Sequence, residues 1–454
     1  MRSRRFALWL SVLSLVVWAS PVRAAAPVDA QDDRVTFAFP DSATFSATLS
    51  STSRITSIVL EYGSRQLSCG DVVAKAFPDF SPNETASVSW TWEMRQSGSL
   101  PPGAQLWWRW RYADESGQEY VTTEKTATWV DGVHPWRSLG DGSTLRLHWY
   151  EGGGTFAKTL QDAAIAGLEY NETYAGLATT GPIDVYVYAD VEDLREAILY
   201  EPSWTGGIAF PEHSIVILGI PESDLDWGQD VMVHELTHVL VGHLTFTCLG
   251  EMPTWLNEGL AVFAEGGIDP AWQLILDNAV ENNSLLPVRS LGGAFSEITT
   301  TAVLSYSESY SLVKFLIERG GHEQMRSLLV ALRDGAPVDQ ALSSIYGFDT
   351  DGLDEAWRAA IGAPGRPPAL LPTARPSPTI VPTIQPISGA WPAVDATAGI
   401  ATPTATNALP APAGGVRPPR GLMLALLSVC CVLMLLAGVI VLGVAVRSGR
   451  RRTQ

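Results

Sequence analysis

Residues 231–243 read VMVHELTHVLVGH, and residues 253–267 read PTWLNEGLAVFAEGG. Both carry apolar residues at helical spacing: Val231, Val233, Leu236, Val239 and Leu240 in the first, Trp255, Leu256, Leu260, Val262 and Phe263 in the second. On a helix, positions i and i+4 lie about 40° apart, so His234 and His238 can offer two imidazole nitrogens to one cation. Glu235 lies about 100° round from His234, within reach of a water on that cation without being a ligand. A catalytic zinc site takes three protein ligands and keeps a fourth position open. Glu258, 20 residues past His238 on the second helix, is the candidate third ligand.

HELTH followed by WLNEGLA resembles the gluzincins, zinc peptidases whose third ligand is a glutamate about twenty residues downstream. Asn257-Glu258-Gly259 is similar to the aminopeptidase N and leukotriene-hydrolase branch, which holds a substrate's amino terminus on a GxMEN strand. Gly206-Gly207-Ile208-Ala209 lies roughly where that strand would fall and lacks the glutamate. The closer resemblance is therefore to the peptidase MA-like proteins, often membrane-anchored in bacteria. It covers roughly 145–362 and implies a Zn2+ cofactor held by His234, His238 and Glu258. It also implies Glu235 as general base and a peptide or protein as substrate. The family's oxyanion-steadying tyrosine sits on a later helix that ends in Gly-Gly. Within SYSESYSLVKFLIERGG, 305–321, the offset to Gly320-Gly321 favours Tyr306, with Ser309 where the family has glycine and Tyr310 as the alternative.

The remaining histidines lack ligand spacing. His243 falls about 140° round the helix from His238, and His134, His148, His213 and His322 are isolated; surface or packing roles are expected for all five.

Upstream of the motifs, period-two alternation predicts strands. Val88, Trp90, Trp92 and Met94 share one face, and Leu106, Trp108, Trp110 and Tyr112 share another, with turn signals at 101–103 and 114–117. Roughly seven short strands over 31–135 predict an all-β immunoglobulin- or fibronectin-like sandwich. Its tryptophans read as core in preference to a carbohydrate platform. An α+β zincin-like domain, increasingly helical towards its end, is expected over 143–362. Strands are predicted at 145–150, 183–188 and 214–218, and helices at 157–168, 324–332 and 353–360. Either 206–209 or 214–218 would be the sheet edge that pairs with an extended substrate.

The ends of the chain predict topology. Residues 1–26 read as a signal peptide: three early arginines, an apolar run, then small residues. A Pro/Thr/Ala-rich linker covers 363–420, a charge-free apolar stretch long enough to span a bilayer covers 421–446, and a basic tail covers 447–454. The positive-inside rule then places the C-terminus in the cytoplasm and the bulk of the chain outside, at the cell membrane. The net charge is −18, and residues 1–24 carry four arginines and no acid, so the remainder is more acidic still at −22. That balance argues against nucleic acid and anionic lipid headgroups as partners. It carries no sign of oligomeric state.

Of four cysteines, Cys430 and Cys431 fall in the apolar stretch and read as filler. Cys69 and Cys248, one in each folded region, are expected as separate buried thiols, with a disulfide as the alternative an oxidising exterior permits. The functional expectation is a membrane-anchored extracellular zinc metallopeptidase. The alternatives are a catalytically silent cell-surface binding protein or a zinc hydrolase of a non-peptide bond.

Overall fold

Alternating burial builds the sandwich that precedes the motif-bearing region. The computed structural model describes residues 28–366, apart from 71, 98–99, 200–205, 251 and 297. These residues fall in one unit, Met1–Leu370; a second, Leu371–Gln454, lies outside them. The strands β1 (Gln31–Ala38), β2 (Ser42–Ser50), β3 (Ile55–Arg65), β4 (Ala74–Ala76), β5 (Thr85–Glu93), β6 (Gln105–Asp114), β7 (Glu119–Val121) and β8 (Lys125–Thr128), with the one-turn helix α1 (Met94–Ser97), form two antiparallel sheets. One sheet has the order β1-β2-β5, the other β4-β3-β6-β7 with β8 also on β6. Along β2 every second residue, Ala43, Phe45, Ala47 and Leu49, is buried, and these meet Leu106, Trp108, Trp110 and Tyr112 of β6 in one core. The tryptophan-rich face of β6 is thus interior, as its alternation predicts. A buried indole N–H needs an acceptor. Trp108 and Trp110 both donate to Asp33 Oδ1, at 2.7 and 3.1 Å.

A second core begins with the mixed sheet β12-β13-β11-β10-β9. Its strands are β9 (Arg137–Leu139), β10 (Leu145–Trp149), β11 (Ile183–Tyr188), β12 (Gly207–Phe210) and β13 (Ile215–Gly219). β10, β11 and β13 run parallel, and the two outer strands are antiparallel to their neighbours. β13 is buried along its whole length, which suits an inner parallel strand covered on both faces. The edge is therefore β12, so of the two edge candidates the glycine-containing segment takes that place. β9 falls between the two ranges expected from sequence and extends the sheet by one strand.

Helices cover this sheet: α2 (Gly154–Tyr170), α3 (Val191–Ala197), α4 (Leu225–Thr245), α5 (Thr254–Ala264), α6 (Pro270–Glu281), α7 (Thr299–Arg333), α8 (Val338–Tyr346) and α9 (Thr350–Ala360). The expected Gly-Gly stop is present inside α7, where Gly321 has φ 70° and the helical path breaks before resuming. Such a left-handed φ suits glycine.

The expectation of two separate thiols is wrong: Cys69 and Cys248 are bonded, with Cα atoms 5.7 Å apart. The loop after β3 and the loop after α4 meet there, although 179 residues separate them. Neighbouring contacts tie the same regions. The Leu67 N–H donates to the Glu212 carbonyl at 2.8 Å, and His213 Nδ1 lies 3.2 Å from the Arg65 carbonyl. The expected signal peptide at 1–26, the span at 421–446, the tail at 447–454 and all but the first residues of the linker lie outside the described residues. Among those described, no helix is long and apolar enough to cross a membrane.

Candidate metal centre

The two motifs converge because α4 and α5 are each held from behind. α4 buries Met232, Leu236, Val239 and Leu240. It lies so close to α2 that a Cβ on Gly167 would come within 2.8 Å of Val233. Thr237, inside the HELTH run, is fully buried, about 60° round the helix from His234. Its hydroxyl donates to the Val233 carbonyl at 2.8 Å and accepts from Asn171 Nδ2 at 2.9 Å. α5 is pinned to α7 by a still closer approach, since a Cβ on Gly259 would fall 2.3 Å from the Ser309 carbonyl oxygen. The glycine of the Asn257-Glu258-Gly259 run thus permits helix contact, and fixes the azimuth of Glu258.

His234, His238 and Glu258 each present one donor atom, all within 4.8 Å of one another. Glu258 Oε2 is 3.5 Å from Nε2 of both histidines. Zinc held at about 2.0–2.1 Å by tetrahedral N and O ligands would set its ligands roughly 3.4 Å apart. The donor set and its spacing fit such an ion. They bring together the three residues expected from the sequence.

One participant has no place in the sequence reading. Glu265 Oε1 accepts from His234 Nδ1 at 2.5 Å, which in the neutral ring leaves the lone pair of Nε2, the nitrogen that faces Glu258, to bind a cation. A carboxylate behind a ligating histidine fixes its tautomer and raises its basicity. The signal was available: Glu265 is seven residues beyond Glu258, two turns along the same face of the helix. Nδ1 of His238 is buried without a hydrogen-bond partner among the described residues.

Charge at the centre is tightly coupled. Burial opposes charge on His234, but Glu258 and Glu265 outweigh it and raise the imidazole well above its ordinary value. Burial likewise opposes charge on His238, and Glu258 overcomes it. Glu258 is held well below the usual carboxylate range, the two imidazoles outweighing its burial. The protein alone thus balances Glu258 with imidazole protons, which a cation at the same point would displace. Burial raises the Glu235 carboxyl, against the pull of the two histidines. That is the direction a proton acceptor working near neutral pH requires.

A cleft of about 1240 Å³ opens over the centre. It is lined by the four motif residues, by Gly206 and Gly207 of the edge-strand region, and by Trp227, Asp230, Trp272 and Tyr306. A Cβ on Gly207 would sit 2.8 Å from Cγ of Glu235, so only glycine lets β12 run this close to the candidate base. Tyr306 stands against Phe295 and Trp272. Burial, then the Glu258, Glu235 and Glu265 charges, raise its hydroxyl well above the ordinary tyrosine value. It is therefore protonated and able to donate. Tyr310 is not among the lining residues; its hydroxyl lies beside Gly267. His243 takes no part: its Nε2 lies 3.0 Å from Ser214 Oγ and 3.1 Å from the Pro211 carbonyl, tying α4 to the β12–β13 turn. Partial burial, then the Glu265 and Asp226 carboxylates, raise Asp230 above its usual value.

Comparison with known proteins places this half of the molecule. Residues 162–363 match a family model described as the Peptidase MA superfamily, which covers less than half of the chain. That match marks the region as metallopeptidase-like. No curated protein matches the sequence. Among solved structures, Legionella pneumophila aminopeptidase A in complex with aspartic acid is similar at 11% identity. The likeness covers 70% of this chain and 47% of that one, with a TM-score of 0.32. A GH family 64 laminaripentaose-producing beta-1,3-glucanase from Paenibacillus barengoltzii is similar at 14% identity over 28% of each chain, with a TM-score of 0.16. The Br derivative of BhCBM56 is similar at 12% identity over 21% of this chain and 88% of that one, also with a TM-score of 0.16. The chain thus spans under half of the aminopeptidase.

Proposed function

We propose that this protein is a zinc-dependent metallopeptidase, anchored in the cell membrane with its catalytic region outside. The observation that carries the reading is the convergence of His234, His238 and Glu258 beside Glu235 on the floor of one cleft. His234, His238 and Glu258 would hold the ion. When bound, zinc supplies Lewis acidity that polarises a carbonyl and makes water nucleophilic near neutral pH. Glu235, buried and raised in pKa, accepts the proton of the attacking water and returns it to the leaving amine. Tyr306, protonated, donates to the oxygen on which negative charge develops. β12 is an edge of its sheet among the described residues, where an extended peptide would add as a further strand.

Localisation rests on the apolar run, basic flank and leader read from the sequence. The Cys69–Cys248 disulfide supports it, because such bonds persist in oxidising compartments.

The test pairs metal content with turnover. The full-length protein should bind one zinc and cleave members of a peptide library. Glu235→Gln should keep the zinc and lose about two to four orders of magnitude in kcat. A Glu235→Gln variant as fast as the parent would remove the mechanism. Bound zinc without cleavage of any peptide would remove the peptidase assignment.

A further inference from the structure

Five carboxylates line the cleft, those of Asp230, Glu235, Glu258, Glu265 and Asp269, and no lysine or arginine does so among the described residues. Four of the five have work assigned by geometry. Glu258 faces both imidazoles, Glu265 accepts from His234, and Glu235 stands as the base. Asp269 caps α6, accepting from the N–H groups of Ala271 and Trp272. Asp230 alone is left: its carboxylate has no hydrogen-bond or ion-pair partner among the described residues, and its charged neighbours are the Glu265 and Asp226 carboxylates. It lies one helical turn before His234, so it points to the same side of α4 as the ligands. One turn further back stands Trp227, an exposed indole whose ring lies against Gly206, where the edge strand begins. A carboxylate and an indole three residues apart on one helix, both lining the same cleft, make a setting for an ammonium or guanidinium group.

The geometry points to Asp230, with Trp227, as the specificity element of this cleft, selecting substrates that carry a cationic group close to the scissile bond. The inference rests on the peptidase reading above and deepens it. The cation has two sources, a lysine or arginine side chain or a free amino terminus, and both present the same chemistry to Asp230.

The experiment uses the full-length, zinc-loaded protein and peptides differing only at one residue, Lys, norleucine or Glu, moved across the cleavage site. Each is made with a free and with an acetylated amino terminus. Lys peptides should exceed norleucine peptides in kcat/KM, with Glu the poorest. Asp230→Asn should shrink the Lys-to-norleucine ratio about tenfold or more, the scale of a hydrogen bond to a charged group, and Asp230→Glu should retain it. Added salt should weaken the preference of the parent, which a purely packing role for Asp230 would not produce. A preference that survives acetylation assigns the side chain as the cation, and one abolished by acetylation assigns the amino terminus; either upholds the inference. Glu235-dependent cleavage that ignores charge, or an unchanged ratio in Asp230→Asn, overturns it and leaves the peptidase reading standing. Failure to cleave any member overturns both.

Discussion

Glu265 makes a sharp demand on the proposed metal centre. It lines the cleft but stands outside the donor set of His234, His238 and Glu258, and it holds His234 Nδ1 at 2.5 Å. Carboxylates in that position typically account for 10- to 100-fold in metal affinity, or about 1.4–2.7 kcal/mol. The two side chains are only 18% and 22% exposed, so solvent takes over little of the interaction when the carboxylate is removed. Glu265→Ala should therefore fall near the hundredfold end. Glu265→Gln keeps an acceptor oxygen but loses the charge, and should fall near tenfold. Zinc affinity would be measured by competition with a chromophoric chelator at fixed pH, with circular dichroism to verify that the fold persists. Saturating zinc should restore most of the turnover in both variants. A Glu265→Ala protein that binds zinc as tightly as the parent would show that the ring is oriented by something else, and the reasoning would fail.

Further outcomes follow from the cleft and the core. Tyr306→Phe should lower kcat about a hundredfold or more with little change in KM, whereas Tyr310→Phe should leave both near the parental values; steady-state kinetics on the two variants decides between the tyrosines. Gly207→Ala puts a Cβ 2.8 Å from Cγ of Glu235, so it should depress kcat while zinc content, read by mass spectrometry of the metal, stays at one equivalent. Burial pushes the Glu308 carboxyl in α7 up to about 8 from an ordinary 4.5. Its contribution to stability is then fully present below pH 4.5 and is lost as pH rises through 8, at no more than about 1.4 kcal/mol per pH unit. Thermal melts of Glu308→Gln should match the parent near pH 4 and exceed it at pH 9; equal melting at pH 9 would contradict the burial argument.

Periodicity carried much of the structure into view. The alternation of β6 placed Trp108 and Trp110 inward, and helical spacing alone put His234 and His238 on one face. Glu258 was findable because the chemistry calls for a third ligand and a second amphipathic helix follows at a short distance. What stayed hidden depends on contacts between distant parts of the chain. Nothing local to Asp33 says that it will serve two indoles about 75 residues away. Cys69 and Cys248 look alike whether bonded or free, because pairing is settled by the docking of two loops. Glu265 was hidden for another reason: a glutamate two turns along an amphipathic helix looks like any surface acid until the first histidine is seen to need a partner.

The disulfide has a practical corollary for dissecting this protein. Cys248 lies ten residues after His238 and ten before Glu258, in the link between the helix that carries two of the candidate ligands and the helix that carries the third. Its partner belongs to the sandwich. A fragment beginning after that sandwich would carry Cys248 as a lone thiol between the ligand-bearing helices, and thiolate is itself a strong zinc ligand. Metal binding by such a truncated piece would report a cysteine-containing coordination set as readily as the native one, and its oxidation would join two molecules where the intact chain joins only its own halves.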